Sequence, residues 1–244
     1  MTATPAPDGL DVVTSFNEQT HVGVIELNRP PNNFLDITLL RAMCDALAAF
    51  DAEGNCHALV LAAGGKHFCA GRDFSKPRGA GDDSASIYRE AWRLLDLRTP
   101  VVVAVQGAAI GAGLGLALWA DFRFCSTRAY FAANFVQVGL HHGFGLSVTL
   151  PRLVGTQRAS ELLYLGEKIG AERAFEIGLV DHVYEAEELR EQAVAFAAKI
   201  ASGPPQAVQA IRATLRQSLA EEFRAATERE SQEQAALART AKAT

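Results

Sequence analysis

The feature that most constrains this chain is the segment 101–120, VVVAVQGAAIGAGLGLALWA. It opens on VVVAV, and four valines in five residues are the β-branched mark of a buried strand. Gln106 and Gly107 lead into a run with glycine at 107, 111, 113 and 115. Leu114, Leu116, Ala117, Leu118 and Trp119 then follow at the apolar density of a buried helix. The N–H groups of a helix's first turn have no partner within the helix, and its dipole favours negative charge there. Glycine and alanine let an acceptor approach the main chain closely. The segment therefore implies a site where backbone donors receive a developing oxyanion.

Three other readings compete. A membrane span needs about twenty apolar residues, but Gln106 and four glycines interrupt this run and no basic flank follows. A dinucleotide fingerprint reads G-x-G-x-x-G, whereas glycines 111, 113 and 115 read G-x-G-x-G with no phosphate-loop lysine behind them. A merely structural strand–turn–helix stays open on this segment alone.

The rest of the chain narrows the class. Its 244 residues suit one α/β domain with an appended helical part, and 49% hydrophobic with 21% charged residues supports a sizeable core. The net charge of −5 argues against nucleic acid as a partner. Cys44, Cys56, Cys69 and Cys125 show no C-x-x-C spacing, so reduced thiols and a cytoplasmic location are expected. Residues 1–10 lack the basic and apolar regions of a signal peptide and read as a short frayed lead-in.

In order, 12–16 and 21–27 read as a strand hairpin, and 28–33 as a proline-bearing loop. Asp36 or Thr38 caps a helix running to about 52, and 58–62 is a buried strand. Residues 64–73 form a second glycine-punctuated loop, 77–83 look flexible, and 87–97 carry helical periodicity. Residues 121–125 and 129–131 read as short strands, and 138–145 as a third glycine-rich turn. Helices are expected over 147–154, over 156–164 with Thr156 as N-cap, and over 171–177 ending at Gly178. A strand over 179–183 precedes a helical remainder broken at Gly203-Pro204-Pro205.

In that frame, FCAGRD (68–73), QGAAIGAGLGLALWADFRF (106–124), FAANFVQVGL (131–140) and the helical stretch 150–184 fall in one order. Together they resemble the crotonase superfamily, the enoyl-CoA hydratase/isomerase fold, from about residue 12 to 238. The resemblance implies a spiral of ββα units over 1–186 and a helical trimerisation region over 187–244. It implies an acyl-CoA thioester as substrate, coenzyme A entering only as part of it, no separate cofactor, and a homotrimer or hexamer. The thioester oxygen would lie between the N–H groups of Arg72 and Ala112. Coenzyme A would pass Asn33 and Phe34 and lie along Lys66, Phe68, Ala70 and Gly71, with Gly111, Phe135 and Gly139 beside the acyl group.

The departures from the pattern set the chemistry. Gly115 and Phe135 stand where the family's hydratases carry two acid/base glutamates. His142, titrating near neutral pH, then His141 and the Arg72 side chain, are the candidates to replace them. The expected activity is lyase or isomerase chemistry on acyl-CoA. A decarboxylase or thioester hydrolase, and a non-catalytic acyl-CoA or partner-binding protein, are the alternatives. The family commonly continues with another helix where this sequence stops at Thr244, so an acyl pocket more open, or completed differently, is expected; Ile211, Leu215, Leu219 and Phe223 offer an apolar surface for assembly.

Overall fold

The computed structural model describes residues 10–77 and 79–240. The lead-in over 1–9, Arg78, and residues 241–244 lie outside the described residues.

In the two central units the first strand enters one sheet and the second enters another. Strands β1 (Val12–Asn17) and β2 (Val22–Leu27) form the expected hairpin, and β3 (Ala58–Ala63), β4 (Val101–Val105), β6 (Phe122–Ser126) and β9 (His182–Tyr184) add in parallel. The order is β1-β2-β3-β4-β6-β9. A second sheet of β5 (Ala108–Ile110), β7 (Tyr130–Ala132) and β8 (Lys168–Gly170) has order β5-β7-β8. Helices α1 (Ile37–Glu53), α2 (Ser84–Ala91), α3 (Ala112–Trp119) and α4 (Leu146–Val154) follow successive strand pairs, as a ββα spiral requires.

Asp36 caps α1, accepting a hydrogen bond from the Leu39 N–H at 2.8 Å. Helix α3 buries Gly113 through Trp119 on every side, which explains its uniformly apolar sequence. The opposite face of the large sheet is closed by α7 (Leu189–Ala201), whose Leu189, Ala193, Ala197 and Ala201 pack with Val60, Val102 and Phe124.

Several boundaries differ from expectation. The helical pattern at 87–97 divides into α2 and a 3-10 turn over Trp92–Leu95. Gly155 is the N-cap of α5 (Thr156–Leu165), so Thr156 is the first helical residue instead. The strand expected at 179–183 begins only at His182, because the Leu179 and Val180 N–H groups close α6 (Ala171–Glu176) by donating to the Ala174 carbonyl. Within 79–83, which the sequence suggests is flexible, the Asp82 carboxylate accepts from the N–H groups of Ile37 and Gly79.

The tail is fastened to the core by charge. Asp121 accepts from Arg212 of α8 (Pro205–Leu215) at 2.9 Å and from Arg216 at 3.0 Å, and Arg216 also reaches the Trp119 carbonyl at α3's end. Helix α9 (Gln217–Thr240) then returns across α2 and α4, burying Phe223 fully and Leu219 to 9% exposure. Of the four expected assembly residues, only Ile211 and Leu215 stay exposed.

Candidate active site

Two loops are zipped together at the heart of the molecule. Cys69 pairs with Ala109 as an isolated parallel bridge; the Cys69 N–H donates to Ala108 and the Ile110 N–H to Cys69, both at 3.0 Å. The approach is close enough to demand glycine. A Cβ at Gly113 would lie 2.2 Å from the Cys69 carbonyl oxygen, and one at Gly71, whose φ is +79°, 2.7 Å from that of Ile110. Arg72 and Ala112, each one residue past a glycine with positive φ, are thereby placed on the wall of one cleft. Ala112 opens α3, whose first N–H groups have no acceptor within the helix. Ala112 is not among the residues with positive φ, so a Cβ there is unstrained.

The cleft holds about 590 Å³. Of the residues singled out in the sequence, Phe34, Ala70, Gly71, Arg72, Gly111, Ala112 and Phe135 line it. Asn33 is fully buried beside it and acts as a pin: its amide donates to the Gly64 and His67 carbonyls at 2.7 Å and accepts from the Arg29 N–H. Phe68 has no exposed surface and belongs to the core, so its contribution to a ligand is confined to the backbone. Lys66 is exposed on the same loop, and Gly139 ends the 3-10 turn Asn134–Val138; neither lines the cleft.

The two histidines are placed differently from the sequence expectation. His141 and His142 stack at 4.1 Å and do not line the cleft. His142 Nε2 lies 2.8 Å from Ser147 Oγ, which donates to the buried Glu230 at 2.6 Å. Glu230 also accepts from the N–H groups of Gly145 and Ser147, so it caps the start of α4 from the tail helix. Burial, with the neighbouring His141 adding to it, pushes the His142 pKa down to about 4 in place of the expected neutral value. Burial also raises the Glu230 pKa.

At the position of Gly115 a Cβ would meet that of Phe144 at 2.7 Å, and Phe144 is fully buried there. Phe135 lies over Gly111, with Asn134 beside it. The carboxylates on the cleft wall are Asp36, Asp73 and Asp82. Each is engaged locally: Asp36 with Arg29 and the Leu39 N–H, Asp73 with the Ser75 hydroxyl and N–H, Asp82 as above. The Ser75 hydroxyl, foremost, holds the Asp73 carboxyl below its ordinary range. Among cations on the wall, Arg29 pairs with Asp11 and Asp36, the Arg72 guanidinium lies 5.0 Å from the Phe74 ring, and Lys76 faces Asp73 at 3.7 Å.

Sequence reasoning missed Ser84, Tyr88 and Gln234, which also line the cleft. Tyr88 lies on a recognisable helical face, but nothing local connects it to a glutamine 146 positions later. Among the described residues no cluster of three His, Cys, Asp or Glu can hold a metal ion, and no helix is long and apolar enough to cross a membrane.

Known proteins share the sequence and fold of this chain. A probable enoyl-CoA hydratase of Rhizobium meliloti is 36% identical over 214 residues, covering 84% of this chain and 83% of its own. The human mitochondrial Delta(3,5)-Delta(2,4)-dienoyl-CoA isomerase is 33% identical over 235 residues, covering 86% and 70%. The crystal structure of an enoyl-CoA hydratase/isomerase from Pseudoalteromonas atlantica superposes with a TM-score of 0.85 at 32% identity, over 93% of this chain and 91% of its own. The family signature described as enoyl-CoA hydratase/isomerase matches residues 17–244, and the chain belongs to that family.

Proposed function

We propose that the chain binds an acyl-CoA thioester in the cleft and acts on it as a lyase or isomerase of its family. The thioester oxygen is received between the backbone N–H groups of Arg72 and Ala112. The observation that carries this is the Cys69–Ala109 zip, which fixes two glycine-led loops against one cleft wall. An enolate or tetrahedral oxyanion formed there gains about 3 kcal/mol from each preorganised donor. Coenzyme A lies toward Phe34, Ala70 and Lys66, with the acyl group toward Phe135. With Gly115 and Phe135 in place of carboxylates, water addition across a double bond lacks its usual proton-transfer groups. Crotonyl-CoA hydration is therefore expected at least about a thousandfold below that of a hydratase carrying both, since each such group is worth about two to four orders of magnitude.

A second reading is favoured by the wall itself. Arg72 and Lys76 stand on it, and holding a substrate carboxylate for decarboxylation needs a cation and an oxyanion site but no general base. Purified protein incubated with a panel of acyl-CoAs, with products separated by chromatography and read by mass and absorbance, separates the cases. Double-bond movement or water gain supports the first, loss of carbon dioxide the second, and free CoA a thioester hydrolase. Binding with no change in retention, mass or absorbance in any member leaves an acyl-CoA-binding protein. No thermal stabilisation by any thioester or by free CoA refutes the site.

A further inference from the structure

Asn134 opens the 3-10 turn Asn134–Val138 and stands half-buried on the cleft wall. Its Oδ1 lies 3.5 Å from the point where a Cβ on Gly111 would stand. Phe135 brings Cζ and Cε2, part of its positively polarised ring edge, to 3.6 and 3.8 Å of the same point. Gly111 directly precedes Ala112, so the amide sits over the turn that carries one of the proposed oxyanion donors. Among the described residues neither end of this amide has a hydrogen-bond partner, whereas Ser84 and Gln234 on the same wall are bonded to each other. In an open cleft water serves both ends of the amide. A thioester seated between Arg72 and Ala112 displaces that water, and a covered amide costs free energy unless the ligand supplies a partner.

The printed contact sets how far the ligand must reach. One bond joins that point to Gly111 Cα and two more lead to the Ala112 nitrogen, so the amide lies within about 7.5 Å of that nitrogen. The two oxygens of a 1,3-dicarbonyl stand about 3 Å apart, and a hydrogen bond of about 2.9 Å at each end lets them span the gap without stretching. An acyl group with oxygen on its β-carbon thus meets the backbone donors and Asn134 together. Rotation about χ2 exchanges Oδ1 and Nδ2, so the amide can present its N–H groups to that oxygen. The amide N–H and the Phe135 ring edge are both electropositive, which favours a carbonyl oxygen. They favour an enolate more, since its charge is shared between the two oxygens of a 3-oxoacyl thioester.

Resting on the acyl-CoA reading of the cleft, we propose that Asn134 contacts the substrate, donating a hydrogen bond to the β-oxygen of a 3-oxoacyl thioester and so selecting that class. Calorimetric titration of the whole protein with free CoA, butyryl-CoA and acetoacetyl-CoA tests it. The wild type should bind acetoacetyl-CoA at least about tenfold tighter than butyryl-CoA, the yield of a hydrogen bond to a charge-bearing oxygen. Asn134→Leu, of similar shape but without donors, should cut that ratio about tenfold. Asn134→Asp, which sets a carboxylate at the same place, should cut it further. The ratio is read within each variant, so an overall loss of stability does not mimic the effect. Acetoacetyl-CoA isotope-labelled at its β-carbonyl gives a reading on the wild type alone, which decides the case should a variant not fold. When bound, the infrared stretch of that carbonyl should lie at or below its position in water. A stretch raised toward that in an apolar solvent, equal binding of the two thioesters by the wild type, or a ratio that either variant leaves within about twofold of the wild type's overturns the proposal alone. Failure of both thioesters and of free CoA to bind the wild type overturns the acyl-CoA reading and this proposal with it.

Discussion

Substituting Gly71 by alanine tests whether the zip between the two loops is what places the oxyanion donors. At φ +79° an L-residue costs about 1–2 kcal/mol relative to glycine. The new methyl would also stand 2.7 Å from the Ile110 carbonyl oxygen, where an ordinary C···O contact is about 3.3 Å. Ile110 cannot yield the missing half ångström or so without cost. Its N–H is bonded to Cys69, the next N–H, that of Gly111, to Ala132, and its strand is paired with β7. Strain and displacement together should therefore lower stability by about 2–4 kcal/mol. The movement falls on the residue before Arg72, so the donor pair should open, and an error of this size costs about a hundredfold where geometry decides.

The assay is urea denaturation paired with binding of acetoacetyl-CoA, whose enolate mimics the charge the donors would hold. Gly54→Ala is the control: φ is +73° at α1's end but nothing lies within 4 Å of the added methyl. It should lose only the strain, about 1 kcal/mol, and bind the enolate as the wild type does. Gly71→Ala matching that control in both stability and enolate binding would refute the reasoning.

Gly115→Glu is expected to destabilise by about 2–4 kcal/mol without creating crotonyl-CoA hydration, because its Cβ meets Phe144; a stable, hydrating variant, read by absorbance, would overturn this. The depressed His142 pKa makes the unfolded chain the better proton acceptor between about 6.5 and 4, so His142 lowers stability as pH falls through that window, by at most about 2–3 kcal/mol. Glu230, its pKa raised, acts in the opposite sense above 4.5, so the test is the pH-dependent difference between wild type and His142→Gln, which should vanish above pH 7 and grow toward pH 4. Asp121→Asn should cost about 3–5 kcal/mol in denaturant unfolding by leaving Arg212 and Arg216 without their shared carboxylate; a loss under about 1 kcal/mol contradicts the fastening role. The exposed Ile211 and Leu215 are expected to be covered by another copy of the chain, and light scattering that shows a stable monomer at micromolar concentration excludes it.

What could be read from the sequence follows the range of the forces involved. The hairpin, the Asp36 cap and the β4–α3 segment are set by residues within one element, and the structure places them as expected within a residue or two. Strands β5 and β8 were invisible because three residues carry no periodicity; they exist only by pairing with β7. Thr156 has the chemistry of an N-cap, but Gly155, at φ +79° and ψ 157°, makes the turn between α4 and α5 and takes the position. The close approach of the two loops was legible because glycines at fixed spacing record where chains approach. Its side-chain part was not: Ser84 with Gln234, and Ser147 with Glu230, are 150 and 83 residues apart. Both Gln234 and Glu230 are delivered by the tail helix α9.

That division has a mechanistic consequence. The donors proposed at Arg72 and Ala112 are main-chain groups, each following a glycine with positive φ, and mutation elsewhere does not remove a backbone N–H. The groups that move protons are side chains, free to change so long as the space is filled. Phe144 shows how the space was filled here. It takes φ +60°, a conformation costing a non-glycine residue about 1–2 kcal/mol, and is fully buried between Gly115 and the edge of Tyr88. Burying a phenylalanine returns about 1.5–3 kcal/mol, enough to hold that strain. The volume beside α3 thus goes to packing, while the proposed backbone donors at the start of that helix are untouched by it.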